Sequence, residues 1–273
     1  MAKKGDKDKR AKKKAAKAAK AAAERVVREA ANAESSPQGS AAAKPAFAAA
    51  KPERNLQQEK TPMPSQPALL RIGNFDEVAL GYTPEMAMNE ARRCLGCPKE
   101  PCSAGCPVGV PVREFIALVA EGLFAEAYAL VKSANSLPAI CGRVCPQETQ
   151  CEGHCMRGRR GDPVGIGNLE RFVADWAQDH PDQAMAAVLA HEAEDEALED
   201  RFAFARKSVA CVGSGPASLT CAGALARQGV KTTVFEALHT VGGVLAYGIP
   251  EFRLPKSLIA QAVSYTHLTL PTN

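Results

Sequence analysis

Eight of the ten cysteines of this chain fall in one stretch, between Cys94 and Cys155. They form two runs, Cys94-x2-Cys97-x4-Cys102-x3-Cys106 and Cys141-x3-Cys145-x5-Cys151-x3-Cys155. Iron–sulfur clusters are held by thiolates, usually four to a cluster, and bacterial ferredoxins present them as C-x2-C-x2-C-x3-C-P. The first run has that form with a longer middle spacer, and a proline follows both Cys106 and Cys145. The pattern therefore predicts two iron–sulfur clusters in one local structure.

Zinc is the main alternative for this pattern, because tetrahedral zinc sites also use C-x2-C pairs. Two-zinc modules usually repeat that pair, whereas this region contains it once. A disulfide framework needs an oxidising compartment, and the lysine-rich start of the chain lacks the apolar stretch of a secretory signal. A zinc-stabilised interaction module remains the alternative from another functional class. Spacing alone does not pair the cysteines.

Helical patterns surround the cysteines. Thr83-Pro84-Glu85 is typical of a helix start, with a capping threonine, a proline at the first helical position and an acid in the first turn. Apolar residues recur at helical spacing over residues 112–120, 124–133 and 166–178. Residues 61–180 are therefore predicted to form an all-α domain whose loops carry the cysteines.

A change of character at Lys207 marks a second domain. A short apolar strand at 208–212 is followed by a glycine-rich turn, a helical pattern over 217–228 and a second strand at 232–235. This order is that of a β-α-β unit, the start of a parallel, doubly wound α/β domain.

The glycine-rich turn carries the signature of a dinucleotide site. Its residues are Gly213, Ser214, Gly215, Pro216 and Ala217. The glycines let a pyrophosphate approach the N-terminus of the helix, and Glu236 at the end of the second strand is placed to bind ribose hydroxyls. Ser218 stands where a third glycine or alanine is usual. NAD and FAD both fit this pattern, and Gly242-Gly243 after the acid favours FAD.

Charge is distributed unevenly along the chain. The net charge is +4, yet residues 1–30 alone hold twelve Lys and Arg against four Asp and Glu, so the remaining residues are mildly acidic. An acidic body argues against a nucleic-acid partner. Residues 1–60 are expected to be a disordered tail, with an arm that touches polyanions or membranes as the alternative. Residues 181–206 are expected to be an acidic connector. No run of eighteen apolar residues occurs, so no membrane span is expected and a cytoplasmic location is predicted.

Four segments of the chain carry a family resemblance. They are NSLPAICGRVCPQETQCEGHC, GNLERFVADW, GSGPASLTCAGALA and VFEALHTVGGVLAYGIPEFRLPK. These segments closely resemble the small (β) subunit of NADPH-dependent glutamate synthase. The same module is similar to the large subunit of electron-bifurcating ferredoxin:NADP oxidoreductase and to the N-terminal half of dihydropyrimidine dehydrogenase. The resemblance covers about Leu70–Gln261 and implies an α-helical ferredoxin-like domain followed by a Rossmann-like FAD-binding domain.

The resemblance implies a pairing of the cysteines. One [4Fe–4S] cluster would be held by Cys94, Cys97, Cys102 and Cys155. The second would be held by Cys106, Cys145 and Cys151, together with Glu170 in the helix after the last cysteine. Cys141 then packs beside the second cluster without binding it, and Cys211 and Cys221 would be small buried residues of the flavin domain.

The resemblance also implies a function. FAD would be bound by residues 213–217, Glu236, Gly242, Gly243 and Arg253, with no catalytic side chain assigned. The expected enzyme takes electrons from NADPH through FAD and two clusters to a large FMN-containing subunit, for glutamate synthesis from glutamine and 2-oxoglutarate. Partners that reduce ferredoxin or NAD are the alternative, and a pyrimidine reductase is a third.

The end of the chain departs from the family. Residues 263–273 read VSYTHLTLPTN, which resembles the translated end of a sequencing adapter. We expect this stretch to be foreign, so that residues 207–262 are the truncated start of the FAD domain. The NADPH site would then lie beyond this chain, and the fragment alone would be inactive.

Overall fold

The computed structural model describes residues 54–194 and 207–264. The helices of the first range are α1 (Ala68–Arg71), α2 (Pro84–Ala91), α3 (Pro101–Ala104), α4 (Val112–Glu121), α5 (Phe124–Ala134), α6 (Pro138–Val144), α7 (Ile166–Asp179) and α8 (Pro181–Glu194). The second range holds β1 (Ser208–Val212), α9 (Pro216–Arg227), β2 (Lys231–Phe235), α10 (Val244–Tyr247) and α11 (Lys256–Ser264). The predictions for most of the tail, for residues 195–206 of the connector and for residues 265–273 lie outside the described residues.

Helices α4, α5 and α7 form where apolar periodicity predicts them, and α2 begins at the predicted capping residues. The side chain of Thr83 accepts a hydrogen bond from the Met86 N–H at 3.3 Å, and Pro84 is the first residue of α2. Helix α4 ends at Gly122, whose φ of 81° lies in the left-handed region that favours glycine. The helix was predicted to end at residue 120 and ends one residue later, at Glu121, next to a glycine that terminates helices at little cost.

The core of the helical domain lies between α2, α4, α5 and α7. Its most deeply buried apolar side chains include Phe115, Val119, Val131, Leu169 and Val173, all with no exposed surface. Cys151 is buried in this core, and Cys94, Cys102, Cys106 and Cys155 pack against it. The cysteine side chains are thus held by the same apolar packing that stabilises the helices.

Two cysteines lie on helices, whereas the sequence placed all eight on loops. Cys102 lies in α3 and Cys141 in α6. Both helices are short, so they contain too few residues to show a periodicity. Both begin with a proline, whose φ suits the first helical position.

Helix α8 packs against α5 and α7. Ala184, near its start, is buried with 4% of its surface exposed. Residues 181–194 therefore pack as part of the helical domain, which differs from the solvated connector that their acidic composition suggested.

The segment that precedes α1 is tied to the helical domain by a buried ion pair. Arg93 and Glu90 have fully buried side chains, and Arg93 Nη1 lies 2.6 Å from Glu90 Oε1. The remaining donors of the guanidinium bind backbone carbonyls of Gln57, Gln58, Asp162 and Pro163. Glu90 accepts from the backbone N–H groups of Thr61 and Gly165. One charge pair thus joins two distant stretches of chain to α2.

The β-α-β unit has the predicted topology. β1 and β2 are parallel, in the register Ser208↔Lys231 to Val212↔Phe235. Helix α9 packs on them over a small core of Cys211, Ala222 and Val234. Cys211 is buried as predicted, whereas Cys221, which was also predicted to be buried, is exposed on α9.

Helix α6 joins the two parts of the described chain. Leu137, which precedes it, and Ile140 within it pack with Leu219, Leu254 and Ile259 of the second range. No helix in residues 54–194 and 207–264 has the length and hydropathy needed to cross a membrane.

Candidate functional site

Four of the cysteines form a first group, made of Cys94, Cys97, Cys102 and Cys155. Burial raises the pKa of the Cys94 thiol, and the charges of Cys155 and Cys97 raise it further. Burial also raises the pKa of Cys102 to about 11, with Cys94 and Cys155 adding to the increase. These side chains are therefore near enough for their charges to interact.

A second group surrounds Glu170. Burial is the main cause that raises the pKa of Cys145, and that of Cys151 to about 12. In both, the charges of Glu170 and Cys106 add to the increase. The structure thus brings Cys106, Cys145, Cys151 and Glu170 together, the same four residues that the resemblance assigned to one cluster.

Cys141 belongs to the second group by position. Burial raises its pKa to about 12, and the charges of Glu170, Cys145 and Cys106 contribute. Its Sγ donates to Asn135 Oδ1 across 3.7 Å, a bond that requires the protonated thiol. The group therefore offers five potential ligands.

The raised pKa values of these thiols indicate that a positive charge near the sulfur atoms would be stabilised. Buried thiolates repel one another and lose hydration, which favours the protonated form of the thiols whose pKa is raised. A metal centre supplies the missing positive charge and deprotonates the sulfur atoms that bind it. The donor set of each group, mostly thiolates in an apolar setting, fits an iron–sulfur cluster.

Two sulfur atoms have hydrogen-bond partners that could adjust to a bound cluster. The Gly96 N–H donates to Cys94 Sγ at 3.4 Å, and Gly96 adopts a φ of 62° to do so. Cys145 Sγ lies 2.9 Å from Gln150 Oε1 and donates to it. Rotation of that amide by half a turn would let its NH2 group donate to a thiolate instead. Such bonds tune the potential of a cluster.

Glu170 is a buried carboxyl group in a helical core. Only 8% of its surface is exposed, and its Oε1 accepts a hydrogen bond from Asn135 Nδ2 at 2.6 Å. Burial raises the pKa of Glu170 to about 7, against the smaller lowering by the Asn135 bond. Sequence reasoning missed Asn135. Asn135 lies three residues before Pro138, the first residue of α6, and its sequence context gave no distinct signal.

Within residues 54–194 and 207–264, no three His, Cys, Asp or Glu side chains are arranged to hold one metal ion. The ligands of a four-iron cluster lie further apart than those of a single ion, because the iron and sulfide atoms of the cluster lie between them.

The glycine-rich turn faces open space. Gly213 has a φ of 86°, and its N–H donates to the Phe235 carbonyl at 2.7 Å. A Cβ added at Gly213 or Gly215 would meet no protein atom within 4 Å. Gly215 has an ordinary extended backbone, with φ −68° and ψ 173°. Neither a clash nor backbone strain therefore explains glycine at 215, whereas a ligand that approaches the backbone does.

Glu236 is held by the turn itself. Its Oε2 accepts from the Ser214 N–H at 2.9 Å and from the Ser214 hydroxyl, and its Oε1 accepts from the Leu238 N–H at 2.9 Å. These bonds, led by that of the Ser214 side chain, lower the pKa of Glu236 to about 2. The carboxylate is therefore ionised at neutral pH. It retains lone pairs for ribose hydroxyls, since a carboxylate accepts up to about four hydrogen bonds.

The Gly242-Gly243 pair packs against the glycine-rich turn. The Gly242 N–H donates to Ser214 Oγ at 2.8 Å. A Cβ on Gly243 would lie 2.9 Å from Gly215 Cα. Gly242 and Gly243 both have a positive φ. Of the remaining predicted residues, Pro216 begins α9, Ala217 follows it, and Arg253 is exposed in the loop before α11.

Two family models match the chain. Residues 71–181 match the dihydropyrimidine dehydrogenase domain II, 4Fe-4S cluster. Residues 211–256 match the NAD(P)-binding Rossmann-like domain. The two matches coincide with the helical domain and the β-α-β unit.

Curated relatives resemble this chain over about 190 to 200 residues. The chain is 38% identical over 197 residues to the glutamate synthase [NADPH] small chain of Halomonas elongata, which covers 71% of this chain and 38% of the relative. It is 35% identical over 201 residues to the corresponding Escherichia coli chain, covering 72% and 39%. It is 34% identical over 190 residues to the NAD-dependent dihydropyrimidine dehydrogenase subunit PreT of Salmonella typhimurium, covering 70% and 43%. The chain thus spans about two fifths of the length of these relatives.

The comparisons confirm the resemblance seen in the sequence. A helical segment that matches a 4Fe–4S cluster domain is followed by a segment that matches a Rossmann-like NAD(P)-binding domain. Glutamate synthase small chains and dihydropyrimidine dehydrogenase subunits are the named homologues of the chain.

Proposed function

We propose that this chain belongs to a subunit that carries electrons from NADPH, through FAD and two [4Fe–4S] clusters, to a partner subunit. The observation that carries the proposal is the division of the cysteines into two groups in a helical domain, which packs through α6 against the segment that holds the glycine-rich turn. When bound, the flavin would accept an electron pair as hydride and the clusters would carry single electrons.

The first cluster would be held by Cys94, Cys97, Cys102 and Cys155. All four are partly exposed, and three of them pack against the helical core. The second cluster would be held by Cys106, Cys145, Cys151 and Glu170. A carboxylate is a harder ligand than a thiolate, so the two clusters would differ in potential.

FAD would be bound by Gly213 through Ala217, with Glu236 on its ribose. Gly242 and Gly243 would bring a second backbone segment toward the same ligand, and Arg253 would contact the flavin or a phosphate. The model that matches this segment is described by NAD(P) binding. The choice of FAD rests on the Gly242-Gly243 pair and on the resemblance of residues 234–256.

The position of helix α6 suggests the order in which electrons would pass through the cofactors. Ile140 packs against Leu254 and Leu219 of the nucleotide segment, while Cys145 directly follows the same helix. The second group is therefore separated from the nucleotide segment by one short helix. Electrons from the flavin would reach the second cluster first and leave by the first.

The favoured reaction is glutamate synthesis from glutamine and 2-oxoglutarate, with a large FMN-containing partner subunit. Two of the relatives named above are glutamate synthase small chains. Transfer to ferredoxin or NAD through a different partner is the second candidate, and pyrimidine reduction the third, which the dihydropyrimidine dehydrogenase homologues favour. NADPH oxidation that depends on glutamine and 2-oxoglutarate, measured with the complete partner complex, separates these reactions.

Metal and flavin analysis of the anaerobically purified chain tests the sites. We expect a brown protein with about eight irons and eight labile sulfides per chain, since two [4Fe–4S] clusters contain that number. A colourless protein that contains zinc would reject the clusters in favour of a zinc module.

Cysteine variants test the two groups. Cys97→Ser and Cys145→Ser should each remove about half of the iron, because each deletes a ligand of one cluster. Cys221→Ser is the matched control, since Cys221 is exposed on α9 and far along the chain from both groups. Cys141→Ser should keep the full iron content. Loss of iron from Cys141→Ser would show that Cys141 is a ligand.

A further inference from the structure

A cavity of about 80 Å³ lies between α5, α8 and α9. Most of its wall is apolar and includes Ala129 of α5, Ala184 of α8 and Gly223 of α9. Ser133 and Met185, which also line it, are exposed, so the cavity can be reached from solvent. One water needs about 10 to 15 Å³ of such space, so the cavity has room for a molecule of roughly five or six non-hydrogen atoms.

Two cationic side chains line this cavity and meet at one buried serine. Lys132 lies on α5, and Arg227 is the last residue of α9. Lys132 Nζ donates to the Ser136 carbonyl at 2.7 Å, and Arg227 Nη1 donates to Ser136 Oγ at 3.4 Å. Ser136 is 3% exposed and lines the same cavity. The two cations thus come from the two parts of the described chain and converge on one wall.

Neither cation has a carboxylate partner among the side chains that the structure describes, those of residues 54–192 and 207–262. Within these ranges no Asp or Glu oxygen lies within 4.0 Å of Lys132 Nζ or of the Arg227 guanidinium. Burial lowers the pKa of Lys132 to about 8, and the charge of Arg227 adds to the decrease. A buried cation without a counter-ion is costly, so an anion between the two would stabilise both.

Other buried cations of this chain are paired. The side chains of Arg143 and Arg171 are 5% and 6% exposed, and each binds both Glu77 and Asp175, at 2.7 to 3.2 Å. The cations of the cavity wall differ from these arginines, since the described side chains supply no counter-ion to them.

Two further groups of the wall can carry charge near neutral pH. They are His191 and Glu192, in the last turn of α8. Even with Glu192 ionised, two cations against one carboxylate leave the wall positively charged. An apolar cavity with a few convergent polar groups is typical of a small-molecule site, and these groups favour an anion with an apolar part.

We propose that this cavity binds a small organic anion, whose carboxylate lies between Lys132 and Arg227 and whose short apolar chain packs on α5 and α8. The site is separate from the proposed cofactor sites. The glycine-rich turn lies at the start of α9 and Arg227 at its end, about 17 Å away along the helix. A bound anion would bridge the helical domain and the β-α-β unit, and would stabilise their contact by mass action.

Isothermal titration calorimetry of the full chain with sodium butyrate, at pH 7 and low ionic strength, tests the site. Two further probes separate the parts of the ligand, since 1-butanol has the apolar chain without the charge and chloride has the charge without the chain. Lys132→Met and Arg227→Met each remove one cation. Lys207→Met is the matched control, because Lys207 is an exposed lysine that does not line the cavity.

We expect the wild-type chain to bind one butyrate. Lys132→Met and Arg227→Met should each weaken this binding about tenfold or more, because each removes a charge-assisted hydrogen bond to the carboxylate. Both 1-butanol and chloride should bind about tenfold more weakly than butyrate. The affinity of Lys207→Met should match that of the wild type.

The absence of saturable butyrate binding to the wild-type chain would overturn the inference, as would 1-butanol or chloride that binds as tightly as butyrate. Unchanged butyrate affinity in both methionine variants would also overturn it. If Lys132→Met does not fold, Arg227→Met decides, because Arg227 ends its helix and makes only one long hydrogen bond within the described residues.

Discussion

The helical domain and the β-α-β unit present their chemistry in different ways. In the helical domain the candidate ligands are side chains that converge in a core closed by four helices. In the β-α-β unit the candidate site is mainly backbone, and Val212 and Phe235 at the ends of the two strands are 89% and 54% exposed. Converging side chains need packing from several helices, whereas a phosphate-binding turn needs only one strand, one turn and one helix.

Removing the buried guanidinium of Arg93 should cause the largest loss of stability in the helical domain. Arg93→Met leaves Glu90 as an uncompensated buried charge, so we expect the free energy of unfolding to fall by about 3 to 5 kcal/mol. Anaerobic urea denaturation measures this change. The double variant with Glu90→Gln should recover part of the loss, and a cost below about 1 kcal/mol for Arg93→Met would contradict a closed, charge-compensated core.

Lys132 should make stability depend on pH. Burial lowers the pKa of Lys132 to about 8, and the charge of Arg227 adds to the decrease. Between pH 8 and about 10.5 the unfolded chain binds more protons than the folded one, so this lysine makes the free energy of unfolding rise with pH. The rise should reach at most roughly 3 kcal/mol. Urea midpoints of wild type and Lys132→Met should therefore diverge above pH 8.

Lys207→Met is the control for this measurement, because Lys207 is exposed at the start of the β-α-β unit. Its pH profile should run parallel to that of the wild type. A Lys132→Met profile that also runs parallel would argue against the buried charge.

A side chain added at Gly142 should disturb the contact between α6 and α7. A Cβ there would lie 2.5 to 2.7 Å from three atoms of Arg171, two of them backbone. Gly142→Ala should therefore cost about 1 to 3 kcal/mol through overpacking. Iron analysis should show partial loss of the second cluster with the first retained. Full iron content with unchanged stability would mean that this contact is not needed.

Gly215→Ala is the counterpart in the β-α-β unit. Its Cβ would face open space, so stability should stay within about 0.5 kcal/mol of the wild type. Flavin binding should weaken at least tenfold, because the methyl group occupies the approach of the pyrophosphate. Fluorescence titration with FAD measures the affinity. Unchanged flavin affinity would contradict the assignment of this turn.

Regular elements could be predicted from the sequence because their signals are local. The stripes of apolar residues on α4, α5 and α7 repeat over several turns, and the β-α-β unit is marked by its glycine-rich turn. Helix α6 could not be predicted, since it has only seven residues, Pro138–Val144, and includes a glycine and a cysteine. The Asn135 amide accepts from the Leu137 N–H just before this helix, and the helix packs on neighbours from distant parts of the chain.

The candidate site was predictable to a smaller extent. Cysteine spacing indicated clusters but left the pairing open, because ligands that are close in space are far apart in sequence, as Cys97 and Cys155 are. The pairing comes from a family resemblance and stays a prediction, since the structure also places Cys141 in the second group. Arg93 and Asn135 gave no distinct signal, since a buried charge and a buried amide look like ordinary polar residues until their partners are known.

The position of α6 limits how far the two parts of the molecule can be treated as interchangeable modules. One side of this two-turn helix packs in an apolar cluster with Leu254 and Ile259. Cys141, on the same helix, lies in the second group. A chimera that joins this helical domain to another nucleotide-binding unit at residue 207 would leave Leu137 and Ile140 without their partners. Such a graft would need matching apolar residues at the positions of Leu254 and Ile259, or it would weaken the support of the candidate cluster ligands.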